Sequence, residues 1–144
     1  MRILIANGPN LSQLGHREPD VYGTATIADI VAGIREIHDD IEELTTEYEG
    51  ALIERLHATR TDGTAAVVLN PGALTHYSYA LRDAITLLDV PVVEVHLSQT
   101  AAREPFRHHS VISAVVDVTI TGAGAYGYEL AVLAARRLVA ARRA

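Results

Sequence analysis

Apolar residues fall along this chain in two alternating patterns, short unbroken runs and longer stretches in which they recur every three or four positions. Ile3, Leu4, Ile5 and Ala6 form the first run, which stops at Asn7-Gly8-Pro9-Asn10, so the pattern predicts a buried strand followed by a turn. The polar stretch that follows, to about Ala25, reads as a long loop. Thr26 with Asp29 three residues on matches a capping signal, and Ile27, Ile30, Val31, Ile34 and Ile37 then recur at helical spacing, which predicts the first helix. The acidic segment Ile41 to Glu47 reads as a short edge strand, and Leu52, Ile53 and Leu56 mark a second helix. Ala65 to Leu69 is a continuous apolar strand ending at Asn70-Pro71-Gly72, and Tyr79 to Leu88 is a third helix with Leu81, Ile85 and Leu88 facing inward. Val92, Val93 and Val95 build the next strand, Val115 to Ile120 the last, and Tyr126 to Arg143 a closing helix whose Arg136, Arg137, Arg142 and Arg143 suit the negative end of the helix dipole.

Strands alternating with helices predict an α/β fold, a flavodoxin-like three-layer sandwich with a five-stranded parallel sheet in the order 2-1-3-4-5 and helices on both faces. At 144 residues the chain fits one domain, expected to span residues 1–144. Its formal net charge of −6 argues against a nucleic-acid partner. The first apolar run breaks too soon for a signal peptide and no stretch approaches the ~20 apolar residues of a membrane span, so a cytoplasmic protein with no membrane partner is expected. Two absences exclude chemistry. Without cysteine there is no thiol nucleophile, disulfide or thiolate metal site, and because every basic residue is arginine there is no Schiff-base or P-loop lysine.

Ligands of such sheets bind beyond the carboxyl ends of the strands, near the point where strand order reverses. Unusual polar residues collect at three of these ends: Asn7, Asn10, Arg17 and Tyr22 after the first strand; Asn70, Thr75 and His76 after the third; Glu94, His96, Ser98, Arg103 and Arg107 at and after the fourth. A tyrosine, with an ordinary pKa near ~10, serves as a base at neutral pH only where adjacent positive charge stabilises its phenolate, and Arg17 is the nearest candidate. The alternative for Arg17 to Gly23 is a solvated loop in which Tyr22 covers apolar surface. Glu94 and His96, two apart on a strand, point to the same side, where a buried glutamate needs a partner and can orient an imidazole as a general acid; a purely structural pair is the alternative. His76 reads as a cap of the third helix. Arg103 and Arg107 share a face if their loop makes a helical turn, and then clamp a carboxylate or polarise a hydroxyl; otherwise they are solvated surface arginines. His108 and His109 make a poor metal-ligand pattern with His96, so no metal is expected. Gly122-Ala123-Gly124-Ala125-Tyr126-Gly127 matches G-x-G-x-x-G, but no strand or acidic ribose partner follows it, so the glycines are read as packing a helix closely on the sheet.

Together these residues resemble the type II 3-dehydroquinate dehydratase family along nearly the whole chain. The resemblance rests on Asn7-Gly8-Pro9-Asn10-Leu11 with Leu14-Gly15, Arg17-Glu18-Pro19 with Tyr22-Gly23, Leu69-Asn70-Pro71-Gly72 with Thr75-His76, Ala80 to Ala84, Glu94-Val95-His96, and Arg103 with Phe106-Arg107. It implies the flavodoxin-like fold, no cofactor, a trimer-based dodecamer, and conversion of 3-dehydroquinate to 3-dehydroshikimate in the shikimate pathway by anti elimination of water through an enolate. It implies Tyr22 as base with Arg17 as activator, a water held by Asn10 at the enolate, and His96 oriented by Glu94 as the acid. Substrate contacts are expected from the amides of Leu97 and Ser98 and from Asn70, His76 and Arg107, with Arg103 supporting the tyrosine and Asp83 reaching a neighbouring subunit's site. The loop around Tyr22 is expected to be mobile when empty and to close over substrate.

The chain departs from the family pattern at Ser12, Tyr77, Tyr79, Leu97-Ser98-Gln99 and Thr46 to Gly50, which touches loop packing and subunit contacts rather than the proposed chemistry. Two other readings stand beside the lyase: a non-catalytic flavodoxin-like module that binds a small anion, and a hydrolase using Ser98 and His96. The latter lacks a G-x-S-x-G elbow.

Overall fold

In a computed structural model of residues 1–144, the unbroken apolar runs become parallel strands covered on both faces. The chain runs β1 (Ile3–Asn7), α1 (Pro19–Tyr22), α2 (Ile27–Arg35), β2 (Ile41–Thr45), α3 (Glu49–Ala58), β3 (Ala66–Asn70), α4 (Tyr79–Thr86), β4 (Val92–His96), β5 (Val118–Thr121) and α5 (Tyr126–Arg143). The sheet has the flavodoxin-like order β2-β1-β3-β4-β5 with every pair parallel.

Alternation along the strands divides the core in two. Ile3, Ile5, Val68, Val93 and Val95 pack with Ile30 and Ile34 of α2 and Ala131 and Ala135 of α5. Leu4, Ala6, Val67, Leu69 and Val92 pack on the other face with Leu52 and Leu56 of α3 and Leu81 and Ile85 of α4. The same alternation carries through to the polar residues that end the strands. Asn7 and Asn70 continue the α5 face, while Glu94 and His96 continue the face of Val92.

The capping signal at α2 is a complete box: Asp29 N donates to Thr26 Oγ1 at 3.1 Å and Thr26 N to Asp29 Oδ2 at 2.9 Å. These bonds, the backbone one foremost, hold the Asp29 carboxyl below its usual range. Ser78 caps α4 by accepting from Leu81 N at 3.0 Å, so His76, expected in that role, is left for another.

Several boundaries differ from the sequence expectation, among them the end of β2 at Thr45 instead of Glu47. The segment after β1 is not a featureless loop: it makes a 3-10 turn at Leu11–Gln13 and then α1, started by Pro19 at a position where its missing N–H costs nothing. Helix α2 stops at Arg35 although Ile37 continues the spacing, and α4 stops at Thr86 before Leu88. The last strand starts at Val118 instead of Val115, because Ser110 Oγ accepts from Ile112 N and Ser113 N and winds residues 113–115 into a 3-10 turn. At the end of α5, Arg142 reaches across to Asp117 Oδ1 at 2.8 Å, a tertiary partner beyond the helix dipole.

The glycines after β5 do pack a helix on the sheet. A Cβ on Gly127 would lie 3.3 Å from Val95 Cγ2, and the N–H groups of Gly122 and Gly124 donate to the carbonyls of Ser98 and Leu97, both at 3.0 Å. That tie fixes the backbone just past β4.

Candidate active site

Two turns, Asn7-Gly8-Pro9 and Asn70-Pro71-Gly72, interlock at the carboxyl end of the sheet. Gly8 N donates to Asn70 O at 2.8 Å, and a Cβ on Gly8 would stand 2.7 Å from Pro71 O. A Cβ on Gly72, at φ +59, would stand 2.9 Å from Pro9 O. Only glycine allows both backbones so near, and the contact places Asn10 and Asn70 at one rim. Asn10 is itself left-handed at φ 71, held there by its N–H donating to Glu47 Oε2 at 2.8 Å, while Ser12 Oγ donates to Glu47 Oε1 at 2.6 Å. Glu47, from the loop after β2, therefore pins the loop after β1.

A cavity of about 130 Å³ opens at this rim. Only 4 of its 15 lining residues are hydrophobic, which suits a small ligand with many hydroxyl or carboxylate groups. Asn10, Arg17, Tyr22, Asn70, His76, His96, Leu97, Ser98, Arg103 and Arg107 all line it. Two of the expected residues do not: Asp83 is exposed on α4, and Glu94 is buried and reaches the cavity only through its bond to His96.

Helix α1 carries the phenol to the mouth. Arg17 Nη2 donates to Tyr22 Oη at 3.0 Å, with the Arg17 guanidinium carbon 4.0 Å from the ring centroid and that of Arg103 at 5.0 Å. Two guanidiniums therefore flank one phenol, one bonded to its oxygen and both near its ring.

At the far side Glu94 is fully buried and accepts from Thr75 Oγ1 at 2.6 Å, Ser113 Oγ at 2.6 Å and Thr119 Oγ1 at 3.4 Å. Burial pushes the carboxyl up, yet the bonds from His96, Ser113 and Thr75 outweigh it and hold Glu94 below its ordinary value. An ionised carboxylate only accepts, so the 2.6 Å contact from Glu94 Oε2 to His96 Nε2 requires a hydrogen on Nε2, and Nδ1 is the nitrogen left for the cavity. His76 is fixed by the same logic: its Nδ1 lies 2.7 Å from His109 O and must donate, which leaves Nε2 for a ligand.

The tie from Gly122 and Gly124 occupies the carbonyls of Leu97 and Ser98, while neither residue's N–H donates to any backbone carbonyl. Two amides without backbone acceptors thus line the same cavity as Arg107, donors of the kind an anion accepts from. Ser98 Oγ accepts from Arg103 Nη1 at 3.1 Å and His96 Nε2 is engaged by Glu94, so the Ser98 and His96 pair of the hydrolase reading is not formed. Arg103 directly follows a 3-10 turn at Thr100–Ala102 and Arg107 sits in the next one, Pro105–His108, where its Nε is shared between both Glu104 oxygens at 3.2 Å. His108 bonds to Arg103 O, and no group of three or more His, Cys, Asp or Glu converges.

Sequence reasoning missed the partners that set these groups. Ser113 fell in the unassigned stretch before the last expected strand, and Thr119 is Glu94's neighbour in the β4–β5 register. Tyr128, fully buried on α5, also went unremarked; its Oη donates to Asn7 Oδ1 at 2.7 Å and accepts from Asn70 Nδ2 at 2.9 Å. A tyrosine on the inner face of a helix, opposite two strand-end asparagines of matching parity, was the available signal.

Comparison with known proteins identifies the family and agrees with the fold. The family described as dehydroquinase class II matches residues 1–136. A 3-dehydroquinate dehydratase of Jannaschia sp. is 53% identical over 138 residues, 93% of each chain, and a catabolic 3-dehydroquinase of Botryotinia fuckeliana is 50% identical over 137 residues, 91% of this chain and 89% of the other. The crystal structure of type II dehydroquinase from Butyrivibrio crossotus superposes with a TM-score of 0.92 at 40% identity, covering 94% of this chain and 97% of that one. That from Propionibacterium acnes gives 0.88 at 45% identity and 96% of both. With the whole sheet, both interlocked turns and the residues around the cavity inside the matched region, this chain belongs to the dehydroquinase class II family.

Proposed function

We propose that the chain dehydrates 3-dehydroquinate to 3-dehydroshikimate with Tyr22 as base and His96 as acid. The observation that carries the assignment is that a guanidinium-bonded phenol and a carboxylate-bonded imidazole line the same cavity. Tyr22, as phenolate, takes a proton from the carbon next to the ketone, and the electron pair moves into an enolate. Arg17 and Arg103 compensate the phenolate, and Asn10 stabilises the enolate oxygen through a bound water. The enolate then collapses with departure of the hydroxyl, which takes a proton from His96 Nδ1, releasing water and the conjugated enone. Tyr22 has gained one proton and His96 has lost one, so exchange with solvent restores both.

The substrate's carboxylate is assigned to the amides of Leu97 and Ser98 with Arg107, and its ring hydroxyls to Asn70 and His76. The relatives carry both a catabolic name and the plain reaction name, so the reaction is what they share; work in aromatic biosynthesis is the reading we favour for this chain, in the cytoplasm. No helix is long and apolar enough to cross a membrane. The anion-binding alternative would use the two amides and Arg107 but leave the paired Tyr22 and His96 without a task.

Incubating the protein with 3-dehydroquinate is expected to produce conjugated-enone absorbance without added metal or nucleotide. Folded, assembled protein that gives no such signal would overturn the lyase assignment.

A further inference from the structure

A single chain of hydrogen bonds crosses the carboxyl end of the sheet beneath the cavity, and its direction is set at one end. Thr45, Asn7 and Asn70 are register partners on adjacent strands β2, β1 and β3, so their side chains emerge in a row. Glu43, two residues before Thr45 and exposed, ends that row with a carboxylate that can only accept. Thr45 Oγ1 spends its hydrogen on Glu43 Oε1 and therefore accepts from Asn7 Nδ2 at 3.2 Å. Asn7 must then present its oxygen to Tyr128, whose hydroxyl donates at 2.7 Å. Having spent its only hydrogen, Tyr128 Oη accepts from Asn70 Nδ2 at 2.9 Å. Asn70 Oδ1 in turn accepts from Gly72 N at 3.1 Å, which closes the chain on the turn that forms the cavity rim.

We infer that Tyr128 is a positioning residue for substrate: it holds the Asn70 amide in one orientation, with one N–H hydrogen and one carbonyl lone pair left for the cavity. The inference rests on the reading of Asn70 as a substrate contact. An asparagine side chain turned over by half a rotation would exchange donor for acceptor at nearly unchanged shape, so only its hydrogen-bond partners choose between the two orientations. Neither partner here can reverse. Gly72 N–H is a backbone donor, and burial pushes the Tyr128 phenol well above its ordinary value, so it stays protonated where Tyr22 works as a base. Tyr128 itself lies 0% exposed, outside the cavity lining, and touches no reacting atom.

The test is Tyr128→Phe, which removes one oxygen and keeps the ring. The KM for 3-dehydroquinate is expected to rise about tenfold, in keeping with the loss of one buried hydrogen-bond partner, with a much smaller change in kcat. In an Asn70→Ala background the same substitution is expected to leave KM where Asn70→Ala already put it. A merely structural role would lower thermal stability but move KM in neither background, or by the same factor in both. Folded Tyr128→Phe enzyme with wild-type KM, or an equal rise in both backgrounds, would overturn the inference. If Tyr128→Phe does not fold, Thr45→Val decides from the solvent end of the chain: a KM raised about two- to threefold supports the chain and an unchanged KM overturns it. Wild-type protein that dehydrates nothing would overturn the function itself and this inference with it, so the two failures are distinguishable.

Discussion

Tyr22 and Glu94 show how the same two kinds of force are used for opposite ends. Tyr22 stands half-exposed between two guanidiniums, whereas Glu94 lies in the interior and is kept ionised by three hydroxyls and an imidazole. Tyr22→Phe keeps the packing and removes the proton acceptor, so kcat is expected to fall about 10²- to 10⁴-fold while the thermal midpoint stays close to wild type. Wild-type turnover in that variant would remove Tyr22 from the base role. For Glu94 the folded value lies below that of an unfolded glutamate, ~4.3, so its contribution to stability is complete above that pH and is lost as pH falls through the folded value. Denaturant midpoints measured from neutral pH to about pH 3 should therefore drop at the acid end, and Glu94→Gln should lack this part of the drop. The same variant is expected to be less stable at neutral pH by about 1–3 kcal/mol, since an amide cannot accept from four donors as a carboxylate does. The pairing of Glu94 with His96 was legible from their spacing of two; the hydroxyls that make a buried carboxylate tolerable were not, because they come from three other segments.

The elements that build the site are its short, irregular ones. Strands β1 and β3 end in turns that touch backbone to backbone, and each turn delivers an asparagine to the cavity rim. Gly8→Ala would put a methyl 2.7 Å from Pro71 O, a backbone atom that cannot step aside. Overpacking of this kind costs about 1–3 kcal/mol, which a urea denaturation series should report as a lower midpoint at unchanged slope, together with reduced turnover. Strand and helix existence followed from hydrophobic period, and the α2 capping box from Thr26 and Asp29 alone. Helix α1 and the turn at residues 113–115 did not, because four- and three-residue elements have no period and form where side chains such as Ser110 supply bonds from outside the element.

For the molecule as a whole, exposed apolar surface is concentrated in aromatic residues: Tyr48 at 75%, Tyr79 at 67%, Tyr77 at 62% and Phe106 at 56%. Rings left this bare on a 15.5 kDa chain fit subunit contacts better than a solvated surface, which accords with the trimer-based dodecamer that the resemblance implies. Sedimentation equilibrium should give a mass that is a multiple of three chains, with twelve the expected number; a 15.5 kDa particle would overturn that assembly. Asp83 is exposed and outside its own chain's cavity, a position compatible with the neighbour's-site role that the resemblance implies. What the sequence by itself determined was the alternation of strands and helices, the parallel sheet, and the list of polar residues at strand ends, because hydrophobic period and turn chemistry are local properties. The tertiary structure alone decided which of those residues share a cavity, that Arg17 and Arg103 close on one phenol, and that Glu94 and Asn70 are each held by groups far away in the chain. Those arrangements depend on distances between separate strand ends, and no local pattern carries a distance between segments that meet only when the sheet is complete.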